Sequence, residues 1–203
     1  MNTPGTEYPP GDYAIVEIMG HTTMHGGSIR LNGVEIGKLP PYRRALMGLA
    51  LVPQEREIFK SLTVEENLIV AERPGRWTLQ RVYDFFPSLA GRRKNRGDQL
   101  SGGEQQMLAI GRALMGNPAF VLMDEPMEGL APVIVDAVLD GLERLKKEGD
   151  TALMLVEQHA RLALDFADET IVLDRGRIVF SGPSSTLAAE PEKMSALLGV
   201  AGR

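Results

Sequence analysis

The sequence predicts an α/β fold with a mainly parallel β-sheet, and two observations lead to this prediction. Short, mostly apolar runs occur near 49–52, 119–123 and 151–156, as expected of parallel strands that are covered on both faces. Longer stretches with apolar residues at helical spacing separate the runs, for example at 107–114. Strands that alternate with helices in this way give an α/β architecture.

Composition narrows the class of protein further. The chain has 203 residues, enough for one sizeable core, and its net charge of −5 argues against nucleic acid as a partner. It has no cysteine, which rules out disulfides and suits a reducing cytosol. Its apolar runs fall far short of about 20 residues, so no membrane span is predicted. The basic run 92–96 is short and is interpreted as a solvated loop.

The first third of the chain carries one strong local signal. Asn32-Gly33 lies between two apolar segments and predicts a β-hairpin over 28–36, because these residues adopt the positive φ angles of a type I′ turn. Residues 1–12 hold three prolines and are expected to be irregular. Residues 13–18 are predicted as a short strand, and 40–47 as a short helix.

The middle of the chain is predicted to be mostly helical. The capping box Thr63-Val64-Glu65-Glu66 opens a helix that reaches about Glu72, and a second helix covers 79–86. A longer helix follows Ser101 and ends at 116–118, where glycine, asparagine and proline follow one another. Arg112 lies off the apolar face of this helix and is expected to be an ordinary exposed cation.

The C-terminal part continues the alternation. Pro132 suits the first turn of a helix that ends at Gly149, and the strand 151–156 follows it. Two further strands near 169–173 and 177–180 turn at Arg175-Gly176, before a helical tail from Ser184.

Two short motifs carry chemistry. Ser101-x-x-Glu104 is a capping box, but glycine costs about 1 kcal/mol relative to alanine in a helix. Gly102 and Gly103 are therefore better explained if a phosphate approaches the free N–H groups of the helix start. Asp124-Glu125 closes an apolar strand, a position that suits a Mg²⁺ ion and an attacking water in phosphoryl transfer.

These motifs resemble a known family. Leu-Ser-Gly-Gly-Glu-Gln at 100–105, followed by an apolar strand and Asp-Glu-Pro at 124–126, is similar to the signature motif and Walker B strand of ABC-transporter ATPases. The segments 124–132 and 156–159 resemble the branched-chain amino-acid importer branch. The resemblance covers 18–203 and implies a P-loop-NTPase-like sheet.

The resemblance also implies a domain organisation. Residues 1–17 have no match, and 18–203 form the ABC ATPase-like domain. Within it, a helical subdomain is expected at about 63–117.

The resemblance further implies ATP hydrolysis between two such subunits packed head to tail. ATP and Mg²⁺ are the expected cofactors, and ATP held by the partner subunit would contact Ser101, Gly102, Gly103 and Glu104. Asp124 and Gln54 would bind Mg²⁺, Glu125 would be the general base, and Gln54 and His159 would position the attacking water. Without this context, Gln54 and His159 would each be interpreted as surface residues.

One expected motif is absent from the printed sequence. A P-loop requires Gly-x-x-x-x-Gly-Lys-[Ser/Thr], and the nearest match, at 33–39, is one residue too short and has Leu39 at the hydroxyl position. We therefore expect an N-terminally incomplete domain whose own nucleotide site is impaired. Three alternatives remain: an ATPase subunit with an incomplete site, a non-catalytic subunit that lends its signature motif, and an inactive fragment. In the last case strands 119–123 and 152–156 would lack a neighbour.

Partners and location follow from the same resemblance. The expected partners are a second ABC ATPase subunit and transmembrane permease subunits, which would contact residues 55–59. The expected location is cytoplasmic, peripheral on the inner face of the cell membrane. Branched-chain amino acids are the expected cargo, with urea or amides as open alternatives.

Overall fold

The computed structural model describes residues 12–24 and 26–197. The helices are α1 (Asp12–Met19), α2 (Pro41–Leu46), α3 (Val64–Ile69), α4 (Leu79–Phe85), α5 (Pro87–Arg92), α6 (Gly102–Met115), α7 (Pro132–Glu148), α8 (Ala160–Phe166), α9 (Ser184–Ala188) and α10 (Pro191–Leu197). The strands are β1 (Arg30–Leu31), β2 (Val34–Glu35), β3 (Leu49–Val52), β4 (Phe120–Asp124), β5 (Ala152–Val156), β6 (Glu169–Asp174) and β7 (Arg177–Pro183). A 3₁₀ turn, Gly97–Gln99, precedes α6.

A three-stranded parallel sheet lies at the centre, in the order β3-β4-β5. Val52 pairs with Met123, and Asp124 pairs with Val156, so the three strands end at the same edge. The predicted α/β class is confirmed. β4 has a neighbour on each side, contrary to the expectation for 119–123, whereas β5 pairs only with β4 within the described part of the chain.

The sheet separates two hydrophobic cores because alternate side chains point to opposite faces. Val121 and Met123 of β4 face the larger core, which α6 and α7 cover. Leu122 faces the smaller core, together with Ile15 and Leu49. The apolar strands are therefore explained by burial on both faces.

Residues 13–18 form helix α1, so the predicted strand there is wrong. Ile15 and Met19, one helical turn apart, are both buried in the smaller core. The run of β-branched residues favoured a strand locally, but this tertiary burial at helical spacing overrides it.

Arg44 fixes the C-terminal end of α1. Its guanidinium donates to the carbonyls of Glu17 at 2.5 Å and Ile18 at 2.7 Å, and also to those of Leu39 and Gly37. The residue is only 2% exposed. A cation at a helix C-terminus is favourable because it faces the negative end of the helix dipole, and Arg44 thus joins α1 to the hairpin and α2.

Several local predictions are confirmed. Asn32 and Gly33 have φ angles of 49° and 80° and join the antiparallel strands β1 and β2. The capping boxes at Thr63 and Ser101 both form. Gly149 ends α7 in the left-handed conformation with a φ of 73°. Helices α5 and α8 were not predicted.

Candidate functional site

The acidic pair lies where β4 leaves the sheet. Asp124 is the last residue of β4, and Glu125 follows with a φ of 42°, in the left-handed region that side chains rarely adopt. The Glu125 amide donates to the carbonyl of Val156 at 2.9 Å, so it connects the ends of β4 and β5. Backbone strain of this kind often occurs at functional positions.

The surroundings of Glu125 disfavour its negative charge. Burial raises the pKa of Glu125, and the nearby carboxylates of Glu128 and Glu157 raise it further, while a hydrogen bond from Gln158 opposes them. Gln158 donates its side-chain Nε2 to Glu125 Oε1. A carboxyl group with a raised pKa, held in one orientation, is suited to accept a proton. Sequence reasoning missed Gln158.

His159, which we expect to position the attacking water, has an exposed side chain. Its side chain is 77% exposed and lies 3.4 Å from Glu157, measured from Nδ1 to Oε2. Gln158, one residue earlier, makes the contact with Glu125. The structure therefore brings Glu125 together with Gln158 rather than with His159.

Gln54 lies two residues after the end of β3, beside the loop that follows β4. Its Nε2 donates to the Glu128 carboxylate, and the Glu128 amide donates to the Glu125 carbonyl at 3.0 Å. Gln54 and Glu125 are thus connected through Glu128. Arg56 joins the same loop by donating to the Glu128 carbonyl at 3.2 Å.

Arg112 is not an ordinary exposed cation. From α6 its guanidinium donates to the carbonyls of Glu57 at 2.9 Å and Arg56 at 3.4 Å, and it lies 5.1 Å from the Phe59 ring centre. Burial lowers its pKa. Arg56 and Glu57 have φ angles of 64° and 44°, an unusual pair of left-handed residues. Arg112 therefore holds the strained turn after β3 against α6.

The start of α6 is an exposed capping box. Ser101 Oγ accepts from the Glu104 amide at 3.3 Å, and Glu104 accepts from the Ser101 amide at 2.8 Å. Burial acts to raise the pKa of Glu104, but hydrogen bonds from Ser101 and Arg92 outweigh it and lower the pKa. Within the described residues, the amides of Gly102 and Gly103 have no hydrogen-bond partner, as is usual in a first helical turn.

The two glycines have different reasons to be present. A Cβ added at Gly103 would lie 2.3 Å from Ile134 Cγ2, so close packing of α7 on α6 requires glycine there. A Cβ added at Gly102 would meet only the Arg56 guanidinium, at 3.8 Å or more. The internal packing of the chain therefore accounts for Gly103 and leaves Gly102 unexplained.

The acidic edge fits Mg²⁺ bound together with a phosphate ligand. Among the described residues, no group of three or more His, Cys, Asp or Glu side chains is placed to hold a metal. Mg²⁺ usually keeps several waters and takes one or two carboxylates plus substrate phosphates. Asp124 ends β4, and Gln54 lies two residues after the adjacent strand β3, so a carboxylate and an amide oxygen, the types of ligand that Mg²⁺ takes, occur at this edge.

A parallel sheet with acids at its carboxyl edge and an exposed helix start is typical of α/β proteins with the P-loop-NTPase fold. Residues 15–128 match the ABC transporter family. The chain is 41% identical to the high-affinity branched-chain amino acid transport ATP-binding protein BraG of Pseudomonas aeruginosa, over 91% of this chain and 81% of that protein. It is 36% identical to the probable branched-chain amino acid transport ATP-binding protein LivF of Archaeoglobus fulgidus, over 89% and 78% of the two chains.

Solved structures agree on the fold. A nucleotide-free ATP-binding cassette from an ABC transporter matches with a TM-score of 0.75 and 24% identity, over 90% of this chain and 81% of that chain. The ADP conformation of MJ1267, an ATP-binding cassette, matches with a TM-score of 0.76 and 22% identity, over 94% and 83%. The chain belongs to the ABC transporter family, as an ATP-binding subunit of the ABC ATPase class. Across the described residues, no helix has the length and apolar character needed to cross a membrane.

Proposed function

We propose that this chain is the ATP-binding subunit of an importer for branched-chain amino acids, and that it completes a nucleotide site with a second subunit. The exposed start of α6 carries the proposal, because Gly102 has no packing role within the chain. The names of the relatives BraG and LivF support the choice of cargo.

Binding of the partner's ATP would use donors that the fold leaves available. The Ser101 hydroxyl accepts from the Glu104 amide and can still donate its own proton to a phosphate oxygen. The amides of Gly102 and Gly103 point out of the helix start, where the helix dipole favours an anion. Glu104 holds this turn in place through the capping box.

Hydrolysis would use the carboxyl edge of the sheet. Mg²⁺ bound by Asp124 and Gln54 would neutralise charge on the phosphates. Glu125 would accept the proton of the attacking water, and its raised pKa suits that role. Gln158 would keep the Glu125 carboxylate in one orientation, and we propose that Gln54 and His159 help to position the water.

A second candidate function follows from the sequence. No P-loop motif occurs in the 203 residues, and charged hydrogen bonds contribute about 1.5–3 kcal/mol each. Loss of a few such contacts lowers affinity by orders of magnitude. In this candidate the chain lends its signature motif to a P-loop-bearing subunit and does not hydrolyse ATP at its own carboxylates.

A cleft of about 730 Å³ is the proposed contact for the permease. Glu57, Phe59 and Arg112 line one part of it, and Val70 of the loop after α3 lines another. Phe59 and Val70 are 47% and 61% exposed, which is unusual for large apolar side chains grouped around a cleft. Permease binding there would act on the turn that carries Gln54.

The permease contact is tested by co-purification with the permease subunits. Val70→Asp should abolish co-purification and transport, because it places a charge in an apolar interface. Val133→Asp is the control, since Val133 is 71% exposed on α7. Retained co-purification and transport with Val70→Asp would exclude this cleft as the contact.

The nucleotide proposal is tested with Mg-ATP and a P-loop-bearing homologue whose catalytic glutamate is changed to glutamine. ATP-dependent association should occur and should be lost with Gly102→Asp, because the new carboxylate repels the phosphates. Gly91→Asp is a matched control, since Gly91 is exposed on α5 with nothing within 4 Å of an added Cβ. Association without ATP dependence, or equal loss in both variants, would contradict the proposal.

The two candidates differ in turnover. The ATPase rate is measured with an active homologue as the partner. If Glu125→Gln in this chain lowers that rate by about half, both sites of the dimer hydrolyse ATP. Hydrolysis unchanged by that variant indicates that this chain only lends its signature motif.

A further inference from the structure

Arg56 reaches the start of α6 from the turn after β3. A Cβ placed on Gly102 would lie 3.8 Å from Arg56 Nη1 and 3.9 Å from Nη2, so the guanidinium lies beside the glycine at the start of α6 that internal packing does not explain. The two residues are far apart in sequence, and the fold brings them together. Arg56 is half-buried rather than extended into solvent.

The bonding of Arg56 leaves its charge without a carboxylate partner. Nε donates to Gln106 Oε1 at 3.1 Å and Nη2 donates to the Glu128 carbonyl at 3.2 Å, and both acceptors are neutral. Within the part of the chain that the structure describes, Arg56 forms no ion pair and Nη1 makes no hydrogen bond. A cation beside a helix N-terminus is unfavourable, because the helix dipole places positive charge there.

The position of this guanidinium is fixed by its neighbours. Arg112 donates to the carbonyls of Arg56 and Glu57 and so holds the turn in its left-handed conformation. Gln106, which accepts from Arg56 Nε, is only 1% exposed. An anion that binds both the guanidinium and the helix N-terminus would relieve the repulsion between them. A guanidinium matches a phosphate group in shape and charge.

We propose that Arg56 is a phosphate-binding residue of the signature half-site. Its Nη1 donates to the terminal phosphate of a nucleoside triphosphate that the amides of Gly102 and Gly103 also contact. The inference rests on the proposed function, since the nucleotide belongs to the second subunit.

The test measures ATP-dependent association of the full chain with the P-loop-bearing homologue by sedimentation, in Mg-ATP and in Mg-ADP. Arg56→Gln should weaken the ATP complex at least tenfold, because a charged hydrogen bond to phosphate is lost. Arg56→Lys should recover part of the affinity, since it keeps the charge without the planar fork. Arg96→Gln is the matched control. Arg96 is also a positively charged residue shortly before α6, but its Nη2 pairs with Asp98 Oδ2 at 2.6 Å.

Each outcome decides the question. Tenfold weakening confined to Arg56→Gln, with an unchanged unfolding midpoint for that variant, supports the inference. Equal affinity of wild type and Arg56→Gln overturns it and leaves the proposed function intact. Equal weakening by Arg96→Gln also overturns it, since general charge then explains the effect. If wild type itself shows no ATP-dependent association, the proposed function fails, and the role of Arg56 fails with it.

Discussion

Replacing Gly103 by alanine separates a packing role from a binding role. The added Cβ would lie 2.3 Å from Ile134 Cγ2 and 3.3 Å from Ile134 Cβ, so rotation of the side chain alone does not relieve the overlap. Overpacking of this kind costs about 1–3 kcal/mol, and alanine returns up to about 1 kcal/mol of helix propensity. We expect Gly103→Ala to lower the free energy of unfolding by about 1–2 kcal/mol. Gly102→Ala should be neutral or stabilising by up to about 1 kcal/mol.

Urea unfolding measures these changes, with the fluorescence of Trp77 as the probe. Trp77 is the single tryptophan and is 4% exposed, so unfolding changes its surroundings strongly. Ile134→Ala removes the atoms that meet the new Cβ. The double variant Gly103→Ala/Ile134→Ala should therefore be more stable than the sum of the single effects by about 1 kcal/mol. Additive single effects, or a loss with Gly102→Ala as large as with Gly103→Ala, would refute this account of the glycines.

Three further predictions concern charged side chains. Arg44→Met should lower the free energy of unfolding by about 3–5 kcal/mol in urea titrations, because four half-buried carbonyls lose hydrogen bonds from a charged donor. Burial and nearby carboxylates raise the pKa of Glu125 above its unfolded value, so its ionised form destabilises the fold. The stability of Glu125→Gln relative to wild type should therefore increase as pH rises through the folded pKa and stay constant below about pH 4. Arg112→Met should speed amide exchange at 54–59 at least tenfold by mass spectrometry, since two charged hydrogen bonds hold that turn.

Controls make these three results decisive. Arg43→Met, on the exposed side of α2, should change stability by less than about 0.5 kcal/mol. A pH-independent offset between Glu125→Gln and wild type would show that the carboxyl pKa is not raised. Faster exchange in β4 as well as at 54–59 would show that Arg112→Met loosens the whole fold rather than the turn.

Local sequence signals predicted the elements whose cause is local. The capping boxes at Thr63 and Ser101 and the Asn32-Gly33 turn depend on neighbouring residues, and all three form. Helix α1 could not be predicted in this way. Its conformation is decided by burial of Ile15 against the sheet and by Arg44, more than 20 residues away.

In the candidate site, too, features with a local cause were predicted and features that depend on tertiary contacts were not. The position of Glu125 at a strand end followed from the apolar run before it. Its contact with Gln158 depends on the register that pairs Asp124 with Val156, which places the ends of β4 and β5 side by side. Arg112 was misjudged because its acceptors are backbone carbonyls, which leave no trace in the sequence.

Within the described residues, β5 has no neighbouring strand on the side away from β4, and this open edge has a practical consequence for handling the protein. Its residues, Ala152 to Val156, are all apolar, and no charge, proline or bulge protects the edge. Such an edge can recruit the same strand from another molecule, and cross-β stacking then grows with concentration and time. Freshly prepared, dilute samples and nucleotide-free reference runs are needed, so that slow aggregation through this edge is not counted as the ATP-dependent association that we propose.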